Sequence, residues 1–362
     1  MRILITGNMG YVGPSVVRQL RRIYPKSRIE GFDSGFFAHC LTTPHDVPER
    51  RLDAQHFGDV RSFDARLLDG CDAVILLAAV SNDPMGARFG RVTEEINQDA
   101  AIAIARQASA AGVRNLVFAS SCSVYGVAEG GPRNEDDPLN PMTAYASSKI
   151  GAERALATLA GDMTVTCLRF ATACGMSDRL RLDLVLNDFV ACALTTGQIS
   201  VLSDGSPWRP LIDVRDMARA IEWAATRSPD NGGRLLTVNA GADSANYQVR
   251  DLAEAVARQV PGCRVSVNRD SPADSRSYRV DFSRFAALAP HHQPRMSLQD
   301  SVAGLVAGLR DLHFADADFR NSSLIRLHTL KALIAEGRLT NDLEWADRLA
   351  PVVRNPSEEV LV

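Results

Sequence analysis

The sequence has no excess of positive charge: 40 Lys and Arg stand against 43 Asp and Glu, for a net charge of −3. That balance excludes the concentrated basic face that nucleic acid or an anionic membrane surface requires. No apolar run approaches the roughly 18 residues of a membrane-spanning helix. The longest obvious one is Ala73 to Val80. The opening Met1-Arg2-Ile3-Leu4-Ile5-Thr6-Gly7 turns to glycine too early for a secretory h-region. Seven cysteines, an odd number with no C-x-x-C pair, argue against a disulfide or zinc framework and for a reduced compartment. Internal repeats and low-complexity linkers are absent as well. What remains is 362 residues, 46% hydrophobic and 23% charged, the composition of a globular protein long enough for two domains or one large one. A soluble, cytoplasmic protein is expected, binding neither nucleic acid nor membrane.

Short apolar runs alternate with helical stretches through the first two-thirds of the chain. Arg2–Thr6, Arg28–Asp33, Ala73–Leu77, Asn115–Ser120 and Thr164–Arg169 read as strands, with helices at Val12–Arg22, Thr93–Ala111 and Thr143–Leu159. Such alternation predicts an α/β fold with a doubly wound parallel sheet, and fully apolar strands such as Val74-Ile75-Leu76-Leu77 fit a sheet covered on both faces. Further on, the pattern predicts a helix at Asp183–Thr195, a strand at Ile199–Leu202 and a Pro/Gly loop. A helix at Asp213–Thr226 and a strand at Leu235–Asn239 would return to the first sheet. Val249–Val260 and Arg264–Val267 read as helix and strand of a smaller lobe, and the tail carries helical patterns at Ser323–Glu336 and Asn341–Leu349.

The first chemical motif is Thr6-Gly7-Asn8-Met9-Gly10-Tyr11-Val12-Gly13, placed between a strand and a helix. Its glycines allow a tight turn and let a pyrophosphate approach the amides of a helix N-terminus. The spacing is G-x-x-G-x-x-G, a variant of the dinucleotide fingerprint; an ordinary glycine-rich turn is the bland alternative. Asp33 ends the second strand, 20 residues after Gly13. A carboxylate there would accept both ribose hydroxyls of NAD and repel the 2′-phosphate of NADP. Asp59-Val60 follows another strand-like stretch, where contact with adenine competes with a surface turn. The second motif is Tyr145-Ala146-Ser147-Ser148-Lys149. Positions i and i+4 share a helix face, so phenol and ammonium stand together, and a neighbouring Lys⁺ would lower a tyrosine pKa near 10 toward that of a usable base. It follows a strand ending Ala119-Ser120-Ser121-Cys122-Ser123-Val124-Tyr125-Gly126, where open α/β sheets bind their ligands.

On these ordered motifs, over roughly residues 1 to 310, the chain resembles the extended short-chain dehydrogenase/reductases, specifically the nucleotide-sugar epimerase/dehydratase family. The resemblance implies a Rossmann domain with a smaller interleaved C-terminal substrate lobe. Residues 1–169, with 208–242 returning, would form the NAD-binding domain; 170–207 and 243–310 the substrate lobe; 311–362 a helical tail. It implies a Ser121–Tyr145–Lys149 triad, in which Ser121 orients the sugar hydroxyl or ketone, Tyr145 moves the proton, and Lys149 tunes Tyr145 and holds the nicotinamide ribose. Gly7, Met9, Gly10, Tyr11, Val12, Gly13, Asp33, Asp59, Val60, Ala78, Ala79, Asn97 and Ser120 would join Tyr145 and Lys149 around NAD. A plain helix cap is the bland alternative for Asn97. Ser81, Cys122, Ser123, Thr172, Asn187, Arg209 and Arg276 would meet a nucleotide-diphosphate sugar, with Arg209 and Arg276 on its phosphates, where a guanidinium fork suits the oxygens. Arg179 and Arg181 would add anion contacts; for any one of these arginines a solvated surface role is the bland alternative, and their joint order in the chain favours the site. No metal is expected, and a homodimer is.

This chain departs from the family pattern in informative places. Where dehydratases of the family carry acidic residues beside the catalytic serine, it has Cys122 and Ser123. The frequent histidine before the alanine pair is Leu76, and R-x-x-N-x-Y-G-P becomes Arg169-Phe170-Ala171-Thr172-Ala173-Cys174-Gly175-Met176. Without the usual acid, the expected activity is NAD-dependent epimerisation through a transient keto-sugar. Reduction or dehydration on the same triad is the rival, and a non-catalytic NAD sensor a more distant one. Three other features read as bland: His291-His292 as a loop, Cys122 as a packing residue, and the stripe Leu324, Leu327, Leu330, Leu333, Ile334 as a face packed on the body or a second subunit.

Overall fold

The structure, a computed structural model, describes residues 1–43, 46–127, 130–159, 161–268 and 277–346. In chain order the main elements begin with β1 (Arg2–Thr6), α1 (Gly13–Ile23), β2 (Arg28–Asp33), β3 (Ala54–Phe57), β4 (Ala73–Leu76), α2 (Asp83–Arg88), α3 (Gly90–Glu94), α4 (Ala101–Ala110) and β5 (Asn115–Ser121). Next come α5 (Ala144–Ala157), β6 (Thr164–Phe170), β7 (Thr172–Cys174), α6 (Val185–Thr195), β8 (Gln198–Val201), β9 (Trp208–Asp213), α7 (Val214–Thr226) and β10 (Leu235–Ala240). The chain ends with β11 (Asn246–Gln248), α8 (Val249–Gln259), β12 (Arg264–Val267), α9 (Ser283–Leu288), α10 (Leu298–Asp311) and α11 (Arg326–Ala335).

Seven strands form one parallel sheet in the order β10-β6-β5-β4-β1-β2-β3. Alternating side chains explain why helices cover both faces: Ile3 and Ile5 pack with Val16, Val17 and Leu20 of α1, while Leu4 packs on the other face with Ile104, Ala105 and Leu156. The doubly wound class expected from the sequence is the one observed. Strand order reverses between β1 and β4, which opens a crevice beyond their carboxyl ends.

Two small sheets, β11-β9-β7 and β12-β8, lie outside the main sheet. Strand β9 replaces part of the expected Pro/Gly loop and pairs with β7 and β11 instead of returning to the main sheet. Pro210 argues against a strand interior because it has no N–H to donate. Its partner strand here is only three residues long, so little pairing is lost. The helix expected over Thr93–Ala111 starts at Gly90 and contains a π-helical turn over Glu95–Ala100. The helix expected over Asn341–Leu349 does not form in its described part: Leu339 bridges Trp345 around a turn closed by Leu343 N–H donating to Thr340 O. Residues 347–349 lie outside the described ones. The leucine stripe packs on the body, as Leu330 and Leu333 join Val80, Met85, Phe89, Val92 and Ile96. Among the described residues no helix is long and apolar enough to cross a membrane.

Candidate active site

A cleft of about 1200 Å³ opens at the strand-order reversal. Single-ligand pockets run to roughly 300–1,000 Å³, so this one has room for two ligands placed end to end. One end is built from the glycine loop. Gly7 has φ +76°, and a Cβ there would stand 2.4 Å from the Ala78 amide nitrogen; a Cβ on Gly13 would stand 2.0 Å from Asn8 O. Only glycines let the loop press against the backbone after β4 while α1 starts immediately behind it. No side chain caps α1; Pro14 has no N–H and the Ser15 N–H donates to Val12 O at 3.1 Å, so the Gly13 N–H is what the first turn leaves for an anion.

The Asp33 carboxylate is fixed by two backbone donors, Met9 N–H at 2.9 Å and Gly35 N–H at 2.8 Å. Burial pushes its pKa up, and those donors work the other way. Gly7, Gly10, Tyr11, Val12, Gly13, Asp33, Asp59, Val60, Ala78 and Ala79 all line the cleft. Met9 does not; its side chain is buried and only its N–H serves, through Asp33. Asp59 is also a turn cap, accepting from Arg61 N–H at 2.8 Å and pairing with the Arg61 guanidinium. Asn97 is fully buried away from the cleft lining. Its amide accepts from Val80 N–H at 2.8 Å and donates to Val80 O at 3.0 Å, which holds the loop after β4 in place.

At the middle of the cleft, β5 ends at Ser121 and α5 begins at Ala144. Thr143 caps α5 by accepting from Ala146 N–H at 3.2 Å, and its hydroxyl donates to Asp83 at 2.8 Å. Tyr145 on the first turn hydrogen-bonds Ser121. Lys149, one turn on, is buried with Nζ 4.7 Å from the Phe118 ring centroid and 5.7 Å from that of Tyr145. Burial pushes the Lys149 pKa down to about 8, against the pull of Glu153 and Cys167. Burial raises the Tyr145 pKa, while the Ser121 hydrogen bond and the Arg181 charge oppose the rise. The phenol thus has two cations near it, the Lys149 ammonium expected from the i, i+4 spacing and the Arg181 guanidinium. Beneath the triad, Glu153 and Arg169 form a buried pair at 2.7 Å, and the Ser120 hydroxyl is committed to the same Glu153.

At the far end, Ser81, Ser123, Thr172 and Arg209 line the cleft. Arg209 donates to Trp208 O at 2.8 Å. The Ser123 hydroxyl is buried without a partner among the described residues, which leaves it for a polar ligand group. Two residues expected to meet the substrate, Cys122 and Asn187, are absent from the cleft lining. Cys122 is fully buried and donates through Sγ to Arg169 O at 3.1 Å; burial raises its pKa, and it packs rather than lining the cleft. Asn187 is also fully buried, donating to the Tyr11 hydroxyl at 3.0 Å and Arg181 O at 2.8 Å, because α6 turns that face into the core. Arg276 lies outside the described residues. Arg179 is paired with Glu49 at 2.7 Å and does not line the cleft. Arg181 does, bound to Asp183 at 2.8 Å and donating to Ser81 at 2.8 Å. His292 pairs with Glu222 at 3.0 Å. Sequence inspection missed Asp183, Tyr278 and the tail residues Arg326, Leu330 and Leu343, all of which line the cleft. Nothing local to them signals this, since they arrive there by long-range packing.

The family model described as "NAD dependent epimerase/dehydratase family" matches residues 3–241. A dTDP-glucose 4,6-dehydratase of Streptomyces griseus is 26% identical over 312 residues, which cover 84% of this chain and 93% of that protein. A UDP-glucose 4-epimerase of Mycolicibacterium smegmatis is 26% identical over 326 residues, covering 86% of this chain and 99% of that protein. Among solved structures, DesIV, a dTDP-glucose 4,6-dehydratase from Streptomyces venezuelae with NAD and TYD bound, superposes with a TM-score of 0.67 at 25% identity, over 86% of this chain and 97% of that one.

Proposed function

The chain belongs to the NAD dependent epimerase/dehydratase family, an extended short-chain dehydrogenase/reductase family of NAD-dependent enzymes, and from that premise we propose that it is a nucleotide-diphosphate-sugar epimerase. The glycine cradle, the two-donor Asp33 and the Gly13 amide at the start of α1 fit NAD, whose nicotinamide end Tyr145 and Lys149 would hold. Bound NAD supplies the hydride chemistry. Tyr145 takes the proton of a sugar hydroxyl, Ser121 holds that oxygen by a second hydrogen bond, and Lys149 holds the nicotinamide ribose. The resulting keto-sugar turns over in the wide cleft, and Tyr145 returns the proton once the opposite face has been reduced. Arg209 holds the diphosphate arm. The Arg181 charge favours phenolate and so opposes the rise that burial imposes on the Tyr145 pKa.

The observation that carries epimerisation over elimination is the pair beside Ser121. Cys122 is committed to Arg169 O inside the core, and Ser123 offers a hydroxyl, so neither can protonate a leaving hydroxyl as a carboxylic acid would. One feature favours the second alternative, dehydration: Asp83 lines the cleft and acts electrostatically on Tyr145. The test begins by denaturing purified protein and measuring released NAD(H). The protein is then incubated with UDP-, GDP-, CDP- and dTDP-sugars, and products are followed by NMR and mass spectrometry. Stoichiometric NAD and an epimer formed without added NADH is the expected result. Loss of water from the sugar, or stoichiometric NADH or NADPH consumption, would sink the epimerase assignment. The same reading assigns residues 1–169 and 208–242 to cofactor binding and 170–207 and 243–310 to substrate, and takes the protein as a homodimer in a cytoplasmic setting that keeps all seven cysteines free.

A further inference from the structure

The segment after α10 contributes Ile325, Arg326, Leu330 and Leu343 to the lining of the cleft. Trp345 donates through Nε1 to Ser34 O at 2.6 Å, and its ring lies 5.5 Å from that of Phe36. Arg61 donates to the Asp342 carbonyl at 2.9 Å, while Leu330 and Leu333 are buried among Val80, Met85 and Ile96. The segment is thus fastened to the turns after β2, β3 and β4, all at the cofactor end.

Arg326, the first residue of α11, is 1% exposed and lines the cleft. Its Nη2 donates to Arg179 O at 2.8 Å, its guanidinium lies 4.7 Å from the Phe37 ring centroid, and Nη1 has no partner among the described residues. The two neighbouring cations each have their own carboxylate, Arg179 with Glu49 at 2.7 Å and Arg181 with Asp183 at 2.8 Å. Among the described ion pairs none involves Arg326. A buried guanidinium without a counter-ion is costly. Burial, with the charges of Arg181 and Arg179 and against the pull of Cys40 and Asp183, holds its pKa down at about 10.

We infer that Arg326 is a phosphate ligand of the cofactor site: the dinucleotide's diphosphate is the anion its guanidinium lacks, and the C-terminal segment forms one wall of that site. This rests on the cleft being the dinucleotide site. The placement favours the cofactor's diphosphate over that of the sugar nucleotide. Phe37 follows Asp33 by four residues, and Arg179, whose carbonyl Arg326 holds, is near enough to Asp33 to act on its ionisation. Arg209 sits apart from these residues, on β9 of the small three-stranded sheet. A planar guanidinium fork suits phosphate oxygens, and desolvation by the overlying segment strengthens such a contact.

The test compares wild type, Arg326→Met and Arg326→Lys, each freed of nucleotide, by calorimetric titration with NAD⁺, NADP⁺ and UDP and by thermal unfolding with and without each. The Met variant is expected to bind NAD⁺ about 10- to 100-fold more weakly and UDP within about twofold of wild type, the loss of one charge-assisted contact. Without nucleotide it should unfold no earlier than wild type, because the unpaired buried charge is gone. The Lys variant should keep part of the affinity. Unchanged NAD⁺ binding overturns the inference. So does a loss confined to UDP, which points to the substrate's diphosphate, or one confined to NADP⁺, which points to a 2′-phosphate. A nucleotide-free variant that melts early and weakens every ligand alike marks a structural residue and also overturns it. Wild-type protein that takes up no NAD⁺ would count against the cofactor cleft itself.

Discussion

Replacing Lys149 by Met should stabilise the nucleotide-free protein while removing its chemistry. The Lys149 pKa falls from 10.5 to about 8 because the ammonium is buried. At about 1.4 kcal/mol per unit of pKa, that shift is a penalty of about 3 kcal/mol on the folded state at pH 7, where the amine is charged in both states. Met keeps most of the chain length and loses the ammonium contact with the Phe118 ring, worth about 1 kcal/mol, so a net gain of about 2 kcal/mol remains. The sign of the pH dependence follows from the direction of the shift. As pH rises through about 8, the folded wild type sheds the proton while the unfolded chain keeps it to about 10.5, so wild type regains stability across that window. Urea unfolding of both nucleotide-free proteins at pH 7 and pH 10 tests this, since other titrating groups cancel in the difference. Met should be the more stable at pH 7, with the gap closing to within about 1 kcal/mol at pH 10. A variant less stable at pH 7, or a gap that ignores pH, would refute the reasoning.

Tyr145→Phe should lower kcat about 10²- to 10⁴-fold, as expected for loss of the proton-transfer group, with the NAD content of the purified protein unchanged; a variant retaining a tenth of the activity would remove Tyr145 from the chemistry. Glu153→Gln should cost about 3–5 kcal/mol in urea unfolding because it leaves Arg169 charged and buried, and adding Arg169→Met should recover much of the loss. If the double variant is as unstable as the single one, the buried pair is not what the Gln substitution breaks. Asp33→Asn should narrow the preference for NAD⁺ over NADP⁺ by about tenfold in titration, since a carboxylate repels the 2′-phosphate and a carboxamide does not; an unaltered ratio would place the ribose elsewhere.

The sequence by itself determined the features that local chemistry dictates. A backbone that must bend at Gly7 and admit a helix at Gly13 tolerates no side chain, so the cradle is legible in the residues that build it. The parallel sheet is legible in strands apolar on both faces, and the pairing of Tyr145 with Lys149 in the pitch of a helix. Tertiary structure alone decided which way each remaining side chain points. Cys122 and Asn187 lie in the right order along the chain yet face the core, because packing of β5 and α6 chose their orientation. It also decided that Arg181 joins the lining of the cleft, and that Arg326, Leu330 and Leu343 line it from more than 280 positions along the chain from Phe37. Local sequence encodes backbone conformation within a few residues. Contacts between distant segments are selected by the joint burial of their apolar faces, and that selection exists only once the whole chain has packed.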